Sequence, residues 1–457
     1  MATHNLSREE LIAKIKDSGT QKIKVAITDI DGILRGKYIH VDKFLSALDT
    51  GFGFCNVVFG WDSADVCYDH VNYTGWHTGY PDAEARLDEG TYRTIPWDEY
   101  TPLFLGDFHD GKGNALPICP RQLLKKVIKK ADDMGYQAKC GIEFEFFNFL
   151  ETPQSLAEKG YRDLESLTPG MYGYSLLRSS YGQPYFSTLM DEMSEFGIPL
   201  EGLHTETGPG VYEAGIYVAD ALEAADRGVL FKTAAKEIAY RFNVIPTFMA
   251  RWNTKLPGSS GHIHQSLWGK NGGQSAFYEA GAQYSMSATF RHYLAGLVYC
   301  LPEILPMLAP NVNSYKRLVE GFWAPTTVTW GVDNRTSSLR VIEGSQKSTR
   351  VEGRIGGADI NPYLAIAAYL AAGLYGIEHK LELKDGPVTG NAYEMKHAPR
   401  LANNLHDSAK LMQGSLIARD LFGETFVDHF TATRLWEWKQ ASQAVTTWEL
   451  ERYFEII

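Results

Sequence analysis

The stretch Gly141-Ile142-Glu143-Phe144-Glu145-Phe146 decides the fold. Apolar residues alternate with two carboxylates, the period of a strand with one buried face. Residues i and i+2 of a strand share a side, so Glu143 and Glu145 project one way and Phe144 the other. Three more segments follow this rule: His262-Ile263-His264, Glu352-Gly353-Arg354 and, more loosely, Glu206 to Glu213. One such pair reads as a solvated strand face. Four, nearly all carboxylate, imidazole or guanidinium, point to strands that share a functional face.

The carboxylates Glu143, Glu145, Glu206, Glu213 and Glu352, gathered together, would resist ionising unless cations lay among them. With an imidazole they form a hard, oxygen-dominated ligand set, which favours Mg²⁺ or Mn²⁺ over zinc. One ion cannot use so many carboxylates, so two or more ions per site are expected. Arg317, Arg335, Arg340, Arg350 and Arg354 form a cationic group. A run of arginines is more often surface charge, but these lie beside the turn-like Gly331–Asn334 and interleave with Glu352. Guanidinium forks suit phosphate and carboxylate oxygens. Metals with arginines are the apparatus of phosphoryl transfer. No GxxxxGK[ST] loop or kinase-like glycine loop is present, which excludes P-loop enzymes and protein kinases.

From Tyr136 onward, short strands alternate with helices expected at about 184–196, 219–242, 287–301 and 362–379, and residues 150–180 read as loop-rich. Upstream, Pro117–Pro120 leads into an amphipathic helix over Arg121–Met134. Before residue 110 the chain reads as β-rich. Lys22–Asp29 and Ile33–Val41 make a hairpin around Asp31-Gly32. Residues 7–17 read as a helix, with Ser7 as N-cap, Glu10 three residues on, and Leu6 and Leu11 as a hydrophobic staple. The expected architecture is α+β, with a small N-terminal domain over 1–112 and a larger domain over 113–457.

Bulk composition agrees with a globular enzyme. The 457 residues are 44% hydrophobic and 22% charged, with net charge −11. Without a polybasic run, nucleic-acid and anionic-membrane binding have little support. The apolar stretch Tyr363–Ile377 is shorter than the ~20 residues that span a bilayer, so it reads as a buried helix. The five cysteines are scattered and form no CxxC pair; that fits a reducing cytoplasm and argues against disulfides or thiolate zinc. The start of the chain reads as a helix rather than a signal peptide.

With these segments in order, the sequence resembles the glutamine synthetase family. The resemblance is carried by Thr28-Asp29-Ile30-Asp31-Gly32, Gly141–Phe146, Glu206 with Gly208–Glu213, Gly258–Ser266, Asn313–Leu318, Asn334–Arg340, Arg350–Arg354 and Ala358–Tyr363. It implies an N-terminal β-grasp domain and a catalytic domain whose antiparallel strands form a funnel. It also implies a homo-oligomer, commonly a dodecamer of two stacked hexamers, with active sites between subunits. By position, Glu145, Glu206 and Glu213 match ligands of one metal, and Glu143, His262 and Glu352 match ligands of the metal that holds the ATP phosphates. His264, Ser266, Arg340 and Arg350 match nucleotide contacts. Gly258, Arg317 and Arg354 match the glutamate side, and Arg335 matches the stabiliser of the transferred phosphoryl. Asp29 matches the group that attracts and deprotonates the amine in a neighbouring subunit. Asp62 is a second candidate, and Tyr174 matches part of the cation-binding wall. The implied reaction makes γ-glutamyl phosphate from L-glutamate and ATP, then releases phosphate as an amine attacks.

One segment departs from the family. Its flap reads roughly Pro-Gly-Tyr-Glu-Ala-Pro, and the Glu helps bind ammonium; here the chain reads Glu320-Gly321-Phe322-Trp323-Ala324-Pro325. Trp323 cannot accept an ammonium proton but can cover an alkyl or aryl group. This resembles the branch that makes γ-glutamylamides from organic amines, including polyamines, methylamine and aniline. An apolar flap favours a monoamine over a polyamine. A glutamine synthetase using ammonia is the second reading. A non-catalytic relative is the third, although all six ligand positions are filled.

Overall fold

The computed structural model describes residues 6–395 and 397–457. Its first sheet contains β1 (Lys22–Thr28), β2 (Leu34–His40), β3 (Phe52–Cys55), β4 (Asp82–Leu87), β5 (Arg93–Ile95) and β6 (Thr101–His109), in the order β2-β1-β6-β4-β3 with β5 on β6. The expected hairpin is present, from Lys22 opposite His40 to Thr28 opposite Leu34. Gly32 turns it at φ 81°, a conformation that suits a residue without Cβ. The helix Val41–Thr50 was not expected in this β-rich region. It buries Phe44 and Ala47, and Phe44 meets Phe104 of β6 with ring centroids 4.6 Å apart.

The second sheet holds β7 (Tyr136–Phe149), β8 (Leu200–Thr205), β9 (Val211–Asp220), β10 (Ile245–Thr247), β11 (Gly261–Gly269), β12 (Trp330–Val332), β13 (Leu339–Ile342) and β14 (Arg350–Gly353). The order is β12-β13-β14-β11-β7-β9-β8, with β10 on β7. Every pair is antiparallel except β12 with β13. The four expected helices span Gln183–Glu195, Ala221–Tyr240, Ala288–Cys300 and Pro362–Glu378. The last is buried along nearly its whole length, and no described helix is long and apolar enough to cross a membrane. Short helices Pro153–Glu158 and Leu176–Tyr181 interrupt the loop-rich stretch.

Two groups of contacts, among others, join the elements around the first sheet to those around the second. Arg121, opening the helix Pro120–Asp133, binds Asp226 through Nε and Nη2 at 2.9 Å each. Its Nη1 reaches Asp107 at 3.0 Å and Asp88 at 2.9 Å, and Lys125 joins the same two acids. Further along, the helix Glu424–Gln443 reaches back to the N-terminal domain. Arg434 binds Asp31 at 2.5 Å, Trp436 donates to Asp62 at 3.0 Å and Lys439 pairs with Asp69 at 2.5 Å. The sequence reading assigned no helices beyond residue 400, where the structure has four.

Candidate active site

The alternation in β7 does what its period requires. Phe144 and Ile263 are fully buried, and Phe144 stacks on Phe231 from the helix beneath, with centroids 6.0 Å apart. Glu143, Glu145, His262 and His264 therefore line the opposite face. Register brings the pairs together: His262 lies opposite Glu143, His264 opposite Glu352, Arg340 opposite Glu352, and Glu145 and His204 each opposite Glu213.

At one end, ligand atoms of Glu143, His264 and Glu352 lie within 4.8 Å of one another. His262 joins them, with Nδ1 at 3.2 Å from Glu352 and 3.7 Å from Glu143. Burial works to raise both acids. The imidazoles override it at Glu143, which is held far below the usual carboxylate range. His262 and Arg354 hold Glu352 at about 2. Arg350 Nε donates to His264 Nδ1 at 3.1 Å, so a neutral His264 carries its proton on Nε2, 3.0 Å from Glu143. In that tautomer Nε2 has no lone pair for an ion. His262 is also buried, and its pKa is lowered first by burial and then by Arg354. Arg340 Nη1 and Arg354 Nη1 both donate to Glu352.

The other end is poorer in cations. His204, Glu206 and Glu213 cluster within 4.8 Å. Glu145 stands beside them, accepting from Ser260 N at 2.7 Å. Burial, then repulsion from Glu213, pushes Glu145 up to about 7. His204 escaped the sequence reading, yet His204 and Glu206 obey the same two-residue spacing that exposed the other pairs. Tyr174 stacks on His204 at 4.6 Å between centroids. Thr205 fixes this segment: its carbonyl accepts from Tyr174 N and its hydroxyl from Ser175 N.

The remaining expected residues divide by place. Buried Arg317 binds Ser260 Oγ and the Ile355 carbonyl at 2.9 Å each, and a Cβ on Gly258 would meet its Cγ at 2.8 Å. Ser266 Oγ accepts from Trp268 Nε1 at 2.9 Å. Arg335 is exposed on the turn between β12 and β13, and its carbonyl accepts from Arg354. Trp323 is 57% exposed at φ 59°. Asp29 and Asp62 sit on the N-terminal domain, tied to groups of their own chain. Asp29 accepts from Arg35 at 2.8 Å and from the amides of Asp31 and Ile33; burial, then Asp31, raises it to about 7. Asp62 accepts from Trp436 and from the amides of Ala64 and Val66.

This donor set fits divalent cations. It consists of carboxylate oxygens with few imidazoles and no thiolate, the chemistry of a hard ion. Crowding at Glu145 is the strain that a bound cation relieves, and His262 Nε2 is buried without a hydrogen-bond partner. Such a set beside buried guanidinium groups suits the handling of phosphate and carboxylate oxygens.

Comparison with known proteins narrows the class. Residues 117–453 match the family described as glutamine synthetase, catalytic domain, and the chain belongs to the glutamine synthetase family. It is 51% identical over 99% of its length to "Type-1 glutamine synthetase 2" of Dictyostelium discoideum, covering 87% of that protein. It is 39% identical to "Glutamate--isopropylamine ligase" of a Pseudomonas species, with 98% of each chain covered. Among solved structures, "Apo GmaS without ligand" superposes with TM-score 0.84 at 26% identity, covering 97% of this chain and 99% of that one. Enzymes of this family use ATP and divalent metals. The chain is accordingly a carbon–nitrogen ligase.

Proposed function

We propose that this enzyme joins the γ-carboxylate of L-glutamate to a primary organic monoamine, alkyl or aryl, through γ-glutamyl phosphate. The observation that carries this reading is Trp323, an exposed indole at the flap position where the family resemblance leads one to expect a carboxylate. The resemblance to a glutamate–isopropylamine ligase supports it.

Bound Mg²⁺ or Mn²⁺, held by Glu145, Glu206 and Glu213 at one end and by Glu143, His262 and Glu352 at the other, supplies charge neutralisation and alignment of oxygens. Arg340, Arg350, His264 and Ser266 face the nucleotide. Arg317, Arg354 and the Gly258 loop grip glutamate. Arg335, free on its turn, approaches the transferred phosphoryl. Fixed guanidinium donors in a water-poor cleft stabilise charge as it develops. Tyr174 and Trp323 wall the amine. Asp29 of a neighbouring copy, with Asp62 as the second candidate, takes the amine proton, in an assembly of two stacked hexameric rings. The five free cysteines support a reducing cytoplasm as its compartment.

The test is phosphate release with glutamate, ATP and a panel of amines. A short alkylamine or arylamine is expected to exceed ammonium in kcat/KM, and Trp323→Glu to move the ratio towards ammonium by roughly 10-fold, the scale of one altered pocket contact. The second reading, an ammonia-using glutamine synthetase, is favoured by the relative of that name at 51% identity. The highest kcat/KM on ammonium would establish it.

A further inference from the structure

We propose that Arg251 is the positioning residue of the amine flap, and that it ties the flap to the glutamate-gripping segments. The inference rests on the reading of Trp323 above and deepens it.

Arg251 lies in the loop between β10 and Gly258. Its backbone is fixed by a reciprocal pair with Asn313: Arg251 N donates to Asn313 Oδ1 at 2.9 Å, and Asn313 Nδ2 donates to the Arg251 carbonyl at 2.7 Å. Its guanidinium then reaches two segments in its own plane. Nε and Nη2 donate to the carbonyls of Asn253 and Thr254 at 3.2 and 2.8 Å. Nη1 donates to the Lys316 carbonyl at 2.8 Å, one residue before Arg317. These bonds set the plane of the fork. Its Cζ lies over the Phe322 ring, 4.4 Å from the centroid, a cation–π contact.

Phe322 is the residue before Trp323. At Trp323 the backbone takes φ 59°, an uncommon conformation for a bulky side chain. A flap so shaped needs an anchor, and the Arg251–Phe322 cation–π contact supplies one beside the indole. The same guanidinium holds the loop that ends at Gly258 and the carbonyl next to Arg317. One side chain therefore sets the distance between the glutamate grip and the amine wall. Lysine cannot replace it, because a point charge on a flexible stem neither fixes a plane nor presents a face.

The experiment varies amine, glutamate and ATP in turn for wild type, Arg251→Lys, Arg251→Met, Phe322→Leu and the double variant Arg251→Met/Phe322→Leu, with thermal unfolding of each. Arg251→Lys and Arg251→Met are expected to raise the amine KM about 10-fold, and Phe322→Leu 3-fold or more. ATP KM should stay within about twofold, and the double variant should be no worse than Arg251→Met alone, because Arg251→Met already removes the contact that Phe322→Leu breaks. Amine KM within twofold of wild type in the single variants, or additive effects in the double variant, would overturn the proposal. So would a parallel rise in all three KM values with a lowered unfolding temperature, which marks a role in folding alone. If the Arg251 variants do not fold, Phe322→Leu decides by the same criteria. If wild type prefers ammonium, the amine reading fails separately, and the same variants are scored with ammonium as the varied substrate.

Discussion

Two clusters of acidic side chains, one where the domains meet and one inside the curved sheet, differ in who supplies the cation. Between the domains, Asp88, Asp107 and Asp226 surround Arg121, with Lys125 beside them and Tyr363 donating to Asp226 at 2.6 Å. Although burial works against it, Asp88 is held below its usual range by Arg121 and Lys125. In the sheet, Glu145, Glu206 and Glu213 meet with His204 as their close partner, and Glu145 is driven up to about 7. The first cluster is closed by the chain's own bases. The second has less positive charge of its own, which suits the soluble ion proposed for it.

Three measurements test the contrast. The largest effect is expected from Arg121→Met, which strands buried carboxylates without a partner. Breaking one side of a buried ion pair costs about 3–5 kcal/mol, to be read from urea unfolding. A loss below about 1 kcal/mol would mean that the domain junction does not depend on its own cation. Next comes metal addition. At ion concentrations about 100 times Kd, Mg²⁺ or Mn²⁺ should stabilise the chelator-treated protein by ~2.7 kcal/mol. Arg121→Met should keep this gain in any folded fraction and Glu213→Gln should lose most of it, as followed by thermal shift. Smallest is the pH term of Glu145. Its folded pKa, about 7, lies above its ordinary 4.5. The stability it contributes is therefore fully present below 4.5 and lost as pH rises through about 7. In the metal-free protein Glu145→Gln should flatten this slope by on the order of 1 kcal/mol per pH unit. Equal slopes for variant and wild type between pH 5 and 8 would show that Glu145 is not under charge strain.

The sheet end of this contrast was legible in the sequence, and the domain junction was not. A strand writes its functional face into local order, so Glu143 with Glu145 and His262 with His264 disclosed both the strands and the site. His204 was readable by the same spacing from Glu206 but passed unremarked. Arg121 with Asp226 lies 105 residues apart, and no local period announces such a pair. Length misled elsewhere: the helix Val41–Thr50 carries Phe44, Leu45 and Leu48 at helical spacing, but sits among strands and aromatic residues that dominate the pattern. The tautomer of His264 needed the Arg350 hydrogen bond, which only the register of β11 against β14 provides.

The grip of the helix Glu424–Gln443 on the N-terminal domain has a consequence for how the protein is made. Arg434 and its partner Asp31 are 403 residues apart. At a synthesis rate of about 5–20 residues per second, the turn that carries Asp29 waits tens of seconds for the last of its buried partners to leave the ribosome. The N-terminal sheet can form early, but the turn bearing Asp29 gains this partner only after residue 434 has been made.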